Sequence, residues 1–422
     1  MPDFRLPYGK THLAFSLPDA WAPELIAPRD VPGAIDPLAE VGAALEAAPL
    51  ADQVSSFVLR PSSSVAIAVN DKTRPVPHHL LLPPLLRKLE EAGVHPKQIT
   101  LIIATGTHAP MPAEEFGLVI PAEILRRYPV ISHDCDAADL LTLGKTQRGV
   151  EVRANRRYMA ADLRIVVGNI EPHQFMGWSG GVKSAAVGLT ARETINANHA
   201  LMTEPGSELG HYDDNPARQE VEEIGRLMGI HYALNAILNE HKEIVHALAG
   251  DPVAVMRDGI PLARGICQVV VAALFDLLII SPGGRPKDIN LYQAQKALGH
   301  ATLVMKPGGT VILAAACPDG TGSPGYDRFM ADPAMTSYEA VLARYQREGY
   351  RLGPHKAWQI ARDASRIRLI TLTEMPADLA RRLLLNPAGS MEEALAAASR
   401  DLPPQPHVGI MPIANATIPT LR

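Results

Sequence analysis

Five short runs of apolar, largely β-branched residues constrain this chain more than any other feature. They read SVAIAV (64–69), ITLIIA (99–104), LRIVVG (163–168), LLIISPGG (277–284) and GGTVILAAA (308–316), and each breaks off into a polar or glycine-rich turn. A strand with one wet face alternates apolar and polar residues. An unbroken apolar run is what a strand buried on both faces requires, and that means a parallel sheet covered by helices. Helical patterns lie between the runs, among them LLLPPLLRKLEEAG (80–93) and QAQKALGHATLVM (293–305). Alternating strand and helix predicts an α/β fold with doubly wound, mainly parallel sheets. At 422 residues the chain exceeds the size at which one core usually divides, so two α/β domains are expected. The division expected is an N-terminal domain over 1–262 and a C-terminal domain over 266–402. The Pro-rich segment 403–422 is too apolar for a free tail and is expected to pack back on the first domain.

Composition removes several classes of function. Forty Lys and Arg against 45 Asp and Glu leave a net charge of -5, with aromatic residues at 5%. Neither a basic field for a nucleic acid backbone nor a base-stacking surface is present. The three cysteines, Cys135, Cys267 and Cys317, are dispersed and form neither a disulfide framework nor a C-x-x-C metal site. The N-terminus lacks a basic region followed by an apolar one, and the most apolar stretch, 266–280, is too short to span a bilayer. A cytoplasmic protein without membrane or nucleic-acid partners is expected.

The unusual side chains cluster just after strands. Asp71, Arg74, His108, His173, Tyr292, Gln293 and Lys296 all stand in such loops or in the helical turn that follows. In open α/β sheets the crevice beyond the carboxyl ends of the strands is where ligands bind. Taken singly, each has an ordinary alternative. NDKTRPVP (70–77) could present Arg74 as a bidentate fork for an anion, or be a solvated loop with a local Asp71–Arg74 ion pair. His108 in TGTH could work on a ligand or cap a helix. Lys183 follows Gly180 and Gly181 without the spacing of a phosphate loop; it suits a nucleophile of lowered pKa, or simply reaches solvent. His199 shares a helical face with Ile195 and Met202, as a metal ligand or as a buried core histidine would.

Taken together, NDKTRPVP, ATGTHAPM, IEPHQFMGWSGGVKSAAVGLTARETINANHALM and PKDINLYQAQKAL resemble the nickel-pincer lactate racemase family, in order and over most of the chain. The resemblance implies two α/β domains with the active site between them. It implies a Ni(II) pyridinium bis-thiocarboxylic acid mononucleotide, bound covalently at Lys183 with His199 as the metal ligand. His108 and His173 fall on the two acid/base histidines. Asp71, Lys72, Thr73 and Arg74 fall near the cofactor phosphate and the substrate, while Tyr292, Gln293 and Lys296 fall on substrate contacts. The implied reaction racemises or epimerises a 2-hydroxy acid. One histidine takes the hydroxyl proton while the C2 hydride moves to the pincer carbon, and both return to the opposite face of the 2-oxo acid. Gly180 and Gly181 are expected to let the backbone pass beneath the flat cofactor. Trp178 is expected to shape the pocket, and cofactor biosynthesis enzymes are implied partners. A Schiff-base lysine enzyme using pyridoxal or a carbonyl substrate, and a non-catalytic nickel or nucleotide carrier, are the alternatives.

Overall fold

In the computed structural model, which describes residues 3–50, 60 and 62–422, the five apolar runs are strands. Val65–Asn70, Ile99–Ala104 and Leu163–Asn169 lie side by side and parallel, Val65 opposite both Ile99 and Leu163. Val130–Ser132 extends this sheet at one edge and Tyr232–Leu238 at the other, both parallel. Ile244–Gly250 closes it as an antiparallel sixth strand. Val65, Ile67 and Val69 join a core with Val41 and Leu45 from the Pro37–Ala47 helix and Leu81, Leu82, Leu85 and Leu89 from His78–Glu91. The alternate residues, Ala66 and Ala68, are also buried. Both faces are therefore covered, which is why the run shows no alternation.

The second sheet is entirely parallel. Its order is Arg368–Leu372, Met305–Ala314, Phe275–Ile280, Val408–Met411 and Glu24–Leu25. The chain thus forms two compact units, residues 30–266 and residues 1–29 with 267–422. Both are α/β with mainly parallel strands, as the apolar runs predict.

Both chain ends lie elsewhere than the expected division puts them. The 403–422 segment packs not on the N-terminal unit but within the C-terminal one. Val408, Ile410 and Met411 are buried, and their strand pairs directly with Phe275–Ile280. The first 29 residues also belong to this unit. The hairpin of Asp3–Tyr8 and Thr11–Ser16 contributes Leu6 and Phe15 to a core with Leu277, Ile279, Ile312 and Ile410. The reason is area: Leu6 and Ile410 are nearly solvent-free only because these distant segments cover one another. Among the described residues, no helix is long and apolar enough to cross a membrane.

Candidate active site

The Val65–Asn70 strand runs into a loop whose prolines, Pro75 and Pro77, delay the next helix until His78. Within this loop Asp71 Oδ1 accepts hydrogen bonds from the Thr73 amide at 3.1 Å and the Thr73 hydroxyl at 2.6 Å. Asp71 Oδ2 lies 2.7 Å from His108 Nδ1. The Asp71 side chain keeps 6% of its exposure and His108 keeps 51%, so a buried carboxylate backs an accessible imidazole. Burial works to raise the Asp71 carboxyl, but the hydrogen bonds from His108 and Thr73 outweigh it and hold the group below the usual carboxylate range. His108 stands on the loop after Ile99–Ala104. There the Gly106 amide donates to the Gly188 carbonyl at 3.0 Å and the Thr105 hydroxyl to the His133 carbonyl at 2.9 Å.

Gly180 and Gly181 adopt φ of 99° and 57°, which side chains rarely tolerate. Added Cβ atoms would lie 2.8 Å from Ile170 Cγ1 and 2.6 Å from Met256 Cγ. The glycine pair therefore answers to backbone conformation and to protein packed against the loop. Arg218, fully buried, fixes the loop from behind: it donates to the Trp178 carbonyl at 3.0 Å, to the Gly180 carbonyl at 3.1 Å and to Glu222 at 2.5 Å. Asn235 Oδ1 accepts from the Gly181 amide at 2.7 Å. Trp178 is not a pocket wall; its indole is buried and donates to the Gly210 carbonyl at 2.9 Å. The loop delivers Lys183 to the start of a short helix, Lys183–Ala186, with Nζ 3.1 Å from Ser179 Oγ.

Asp71, Arg74, His108, Glu171, Ser179, Gly180 and Lys183 line one open cleft. Lys72 and Thr73 do not: Lys72 pairs with Glu115 at 2.5 Å, and Thr73 braces Asp71. Reading motifs residue by residue overlooks Asn70, Asn169, Glu171 and Ser184, which line the cleft too; Asn70, Asn169 and Glu171 carry the signal of a polar residue at or just after a strand end, whereas Ser184 stands inside the Lys183–Ala186 helix.

His173 and His199 lie outside the cleft lining, joined through a single ring. Phe175 meets His173 edge-on with centroids 4.9 Å apart, and His199 at 5.2 Å. His173 Nδ1 accepts the Met176 amide at 3.3 Å. His199 closes the Arg192–Ala200 helix, anchored by Asn198 Nδ2 donating to the Ala217 carbonyl at 2.8 Å.

Tyr292, Gln293 and Lys296 belong to the other unit. The Asn290 side chain caps the Leu291–Ala294 helix of Tyr292 and Gln293 by accepting from the Gln293 amide at 3.1 Å, and Lys296 opens the next helix, Lys296–Ala301. Lys296 Nζ donates to Gln293 Oε1 at 2.7 Å, and Lys356 Nζ sits 4.8 Å from the Tyr292 ring centre. Trp358 packs on Tyr345 at 5.7 Å, with Arg362 over its ring at 5.1 Å.

Residues 8–210 match the family model described as the lactate racemase N-terminal domain, and residues 270–417 the lactate racemase C-terminal domain. A lactate racemase of Lactiplantibacillus plantarum is 31% identical over 287 residues, 67% of each chain. Another, of Thermoanaerobacterium thermosaccharolyticum, is 29% identical over 337 residues, 79% of this chain and 78% of that one. The solved structure of the lactate racemase apoprotein from Thermoanaerobacterium thermosaccharolyticum is similar with a TM-score of 0.91 at 26% identity, covering 100% of both chains. A Thermotoga maritima protein shares the fold at a TM-score of 0.66 and 17% identity, covering 93% of this chain and 100% of that one.

Proposed function

Because the chain belongs to the lactate racemase family and is an isomerase of the racemase class, we propose that it interconverts the two hands of a small 2-hydroxy acid. Lactate is the substrate its relatives are named for. The observation that carries this reading is one cleft holding an Asp71-backed imidazole, an amine and a guanidinium.

The residues present fit a nickel-pincer nucleotide. Lys183 offers an amine at the cleft for a covalent tether, and Arg74 a cation for phosphate or carboxylate. The cysteines are buried and none lines the cleft, so soft sulfur donors would come with the group, and His199, which lies outside the cleft lining, is the imidazole proposed for the metal. When bound, such a group supplies a reversible acceptor for the hydrogen at C2.

The chain's own residues handle the protons and the positioning. His108 and His173 serve as the acid/base pair. One holds the hydroxyl proton while the C2–H bond is broken, and the other returns a proton to the oxygen when hydrogen comes back to the opposite face. Arg74 and Lys296 are the cations proposed for the substrate carboxylate, with Tyr292 and Gln293 as further contacts. Enzymes that make and insert the cofactor are the proposed partners.

Intact mass and metal analysis test this directly, on protein produced together with cofactor biosynthesis enzymes. A mass increment localised to Lys183, one nickel per chain and racemisation of a chiral 2-hydroxy acid are expected. A borohydride-trapped pyridoxyl group on Lys183 would replace this reading with a Schiff-base enzyme. His108→Ala and His173→Ala are each expected to lower racemisation by about 10²–10⁴-fold, measured by polarimetry. Parent-level rates in both variants would remove the acid/base pair.

A further inference from the structure

Asp71 is sequestered in a way that a phosphate or substrate contact would not be. One carboxylate oxygen takes both donors of Thr73, at 3.1 and 2.6 Å, and the other faces His108 Nδ1 at 2.7 Å. A carboxylate has no proton to offer a phosphate, and its charge repels one. The cation of the same loop, Arg74, is the group that lines the cleft with anion-binding chemistry.

The partner atoms decide the tautomer. An ionised carboxylate only accepts, so His108 Nδ1 must carry the proton of this bond. In the neutral ring that leaves the Nε2 lone pair as the basic atom. The Thr73 donors hold the carboxylate, and the carboxylate holds the ring against a flip. His173 has the other arrangement, with an amide donating to its Nδ1. We propose that Asp71 is a positioning residue, locked by Thr73, that fixes His108 as the Nδ1–H tautomer and so makes Nε2 the atom that exchanges the substrate proton. Asp71 is thereby taken out of the cofactor-phosphate contacts. The consequence for catalysis rests on the reading of His108 as an acid/base residue; the tautomer itself does not. Arg74, Glu171 and Lys183 are the other charged groups lining the cleft, while the carboxylate on His108 Nδ1 is that of Asp71.

Histidine-selective ¹⁵N labelling with long-range ¹H–¹⁵N correlation reads the tautomer on the full chain at neutral pH, the His108 signals being identified by their loss in His108→Gln. A protonated Nδ1 and unprotonated Nε2 are expected in the parent. In Asp71→Asn, whose amide can donate to Nδ1, the Nε2–H form is expected to gain population. An Nε2–H tautomer in the parent, or an unchanged one in Asp71→Asn, overturns the proposal. On cofactor-loaded protein, Asp71→Asn is expected to keep the mass increment at Lys183 while kcat falls at least tenfold with KM little changed. Asp71→Glu is expected to recover part of kcat. Loss of cofactor incorporation in Asp71→Asn would instead make Asp71 a cofactor contact. Should Asp71→Asn not fold, the parent spectrum still decides, and Thr73→Val supplies the second variant, with the His108 tautomer expected to become mixed. If the parent carries the expected tautomer yet racemises no 2-hydroxy acid, the functional reading fails and the tautomer assignment stands.

Discussion

Arg218 has no access to solvent, and its charge is met by Glu222 and by two carbonyls of the lysine-bearing loop. Removing one member of such a buried pair strands the other. Arg218→Leu is therefore expected to destabilise the chain by about 3–5 kcal/mol, read as a lowered urea midpoint. Weaker cofactor attachment at Lys183 should accompany it. At Gly180 a Cβ would meet Ile170 and Asn235 at a φ of 99°. Gly180→Ala is expected to cost about 1–3 kcal/mol. Three side chains singled out in the sequence, His108, Arg74 and Lys183, line one cleft, because each stands in a loop or helical start that local pattern marks. Arg218 and Asn235 were not singled out, because their role is to satisfy another segment's backbone, and no local pattern marks that.

The helix Pro216–Met228 connects element structure to the two remaining histidines. Its N-cap, Asn215, accepts from the Arg218 amide at 2.9 Å and donates to the Phe175 carbonyl at 2.9 Å. Phe175 is the ring between His173 and His199. Asn215→Ala is expected to lose about 1–2 kcal/mol of stability, measured by thermal melting, and to lower kcat through the looser Phe175. Strand reading succeeded for the five unbroken apolar runs. It passed over Tyr232–Leu238 because Asn235 interrupts the run, and that asparagine holds the Gly181 amide. Ile244–Gly250 escaped because its middle residues are only half-buried. The helical pattern at 293–305 is real but segmented, ending in a single 3-10 turn, Thr302–Val304, before the next strand.

Across the whole molecule, the C-terminal unit depends on segments far apart in sequence. His300, on the Lys296–Ala301 helix, has Nδ1 2.7 Å from the Thr417 carbonyl. Burial pushes this imidazole down from 6.5 to about 4; the Thr417 bond acts the other way, while Lys296 and Lys287 add to the depression. A histidine with a depressed folded pKa binds fewer protons folded than unfolded. Its contribution is thus complete above pH 6.5 and drains away as the pH falls towards 4. That amounts to roughly 3 kcal/mol. The urea midpoint is expected to drop between pH 7 and pH 5, and less steeply in His300→Gln. Ending the chain at residue 402 removes the strand that pairs with both Phe275–Ile280 and Glu24–Leu25. Loss of near-ultraviolet circular dichroism from this unit is the expected result.

The amino-acid order alone determined that the sheets are mainly parallel and buried, since only two-sided burial tolerates unbroken apolar runs. It also marked loops whose polar side chains line the cleft, such as those of Arg74 and His108, because those loops follow the strands directly. Tertiary structure decided what each side chain answers to. Asp71 could have paired with Arg74, three residues on, but the fold turns it to His108, 37 positions away. The glycine pair answers to Met256 and Ile170, and the two chain ends answer to one sheet. Such choices turn on distances between residues remote along the chain, which local periodicity does not encode.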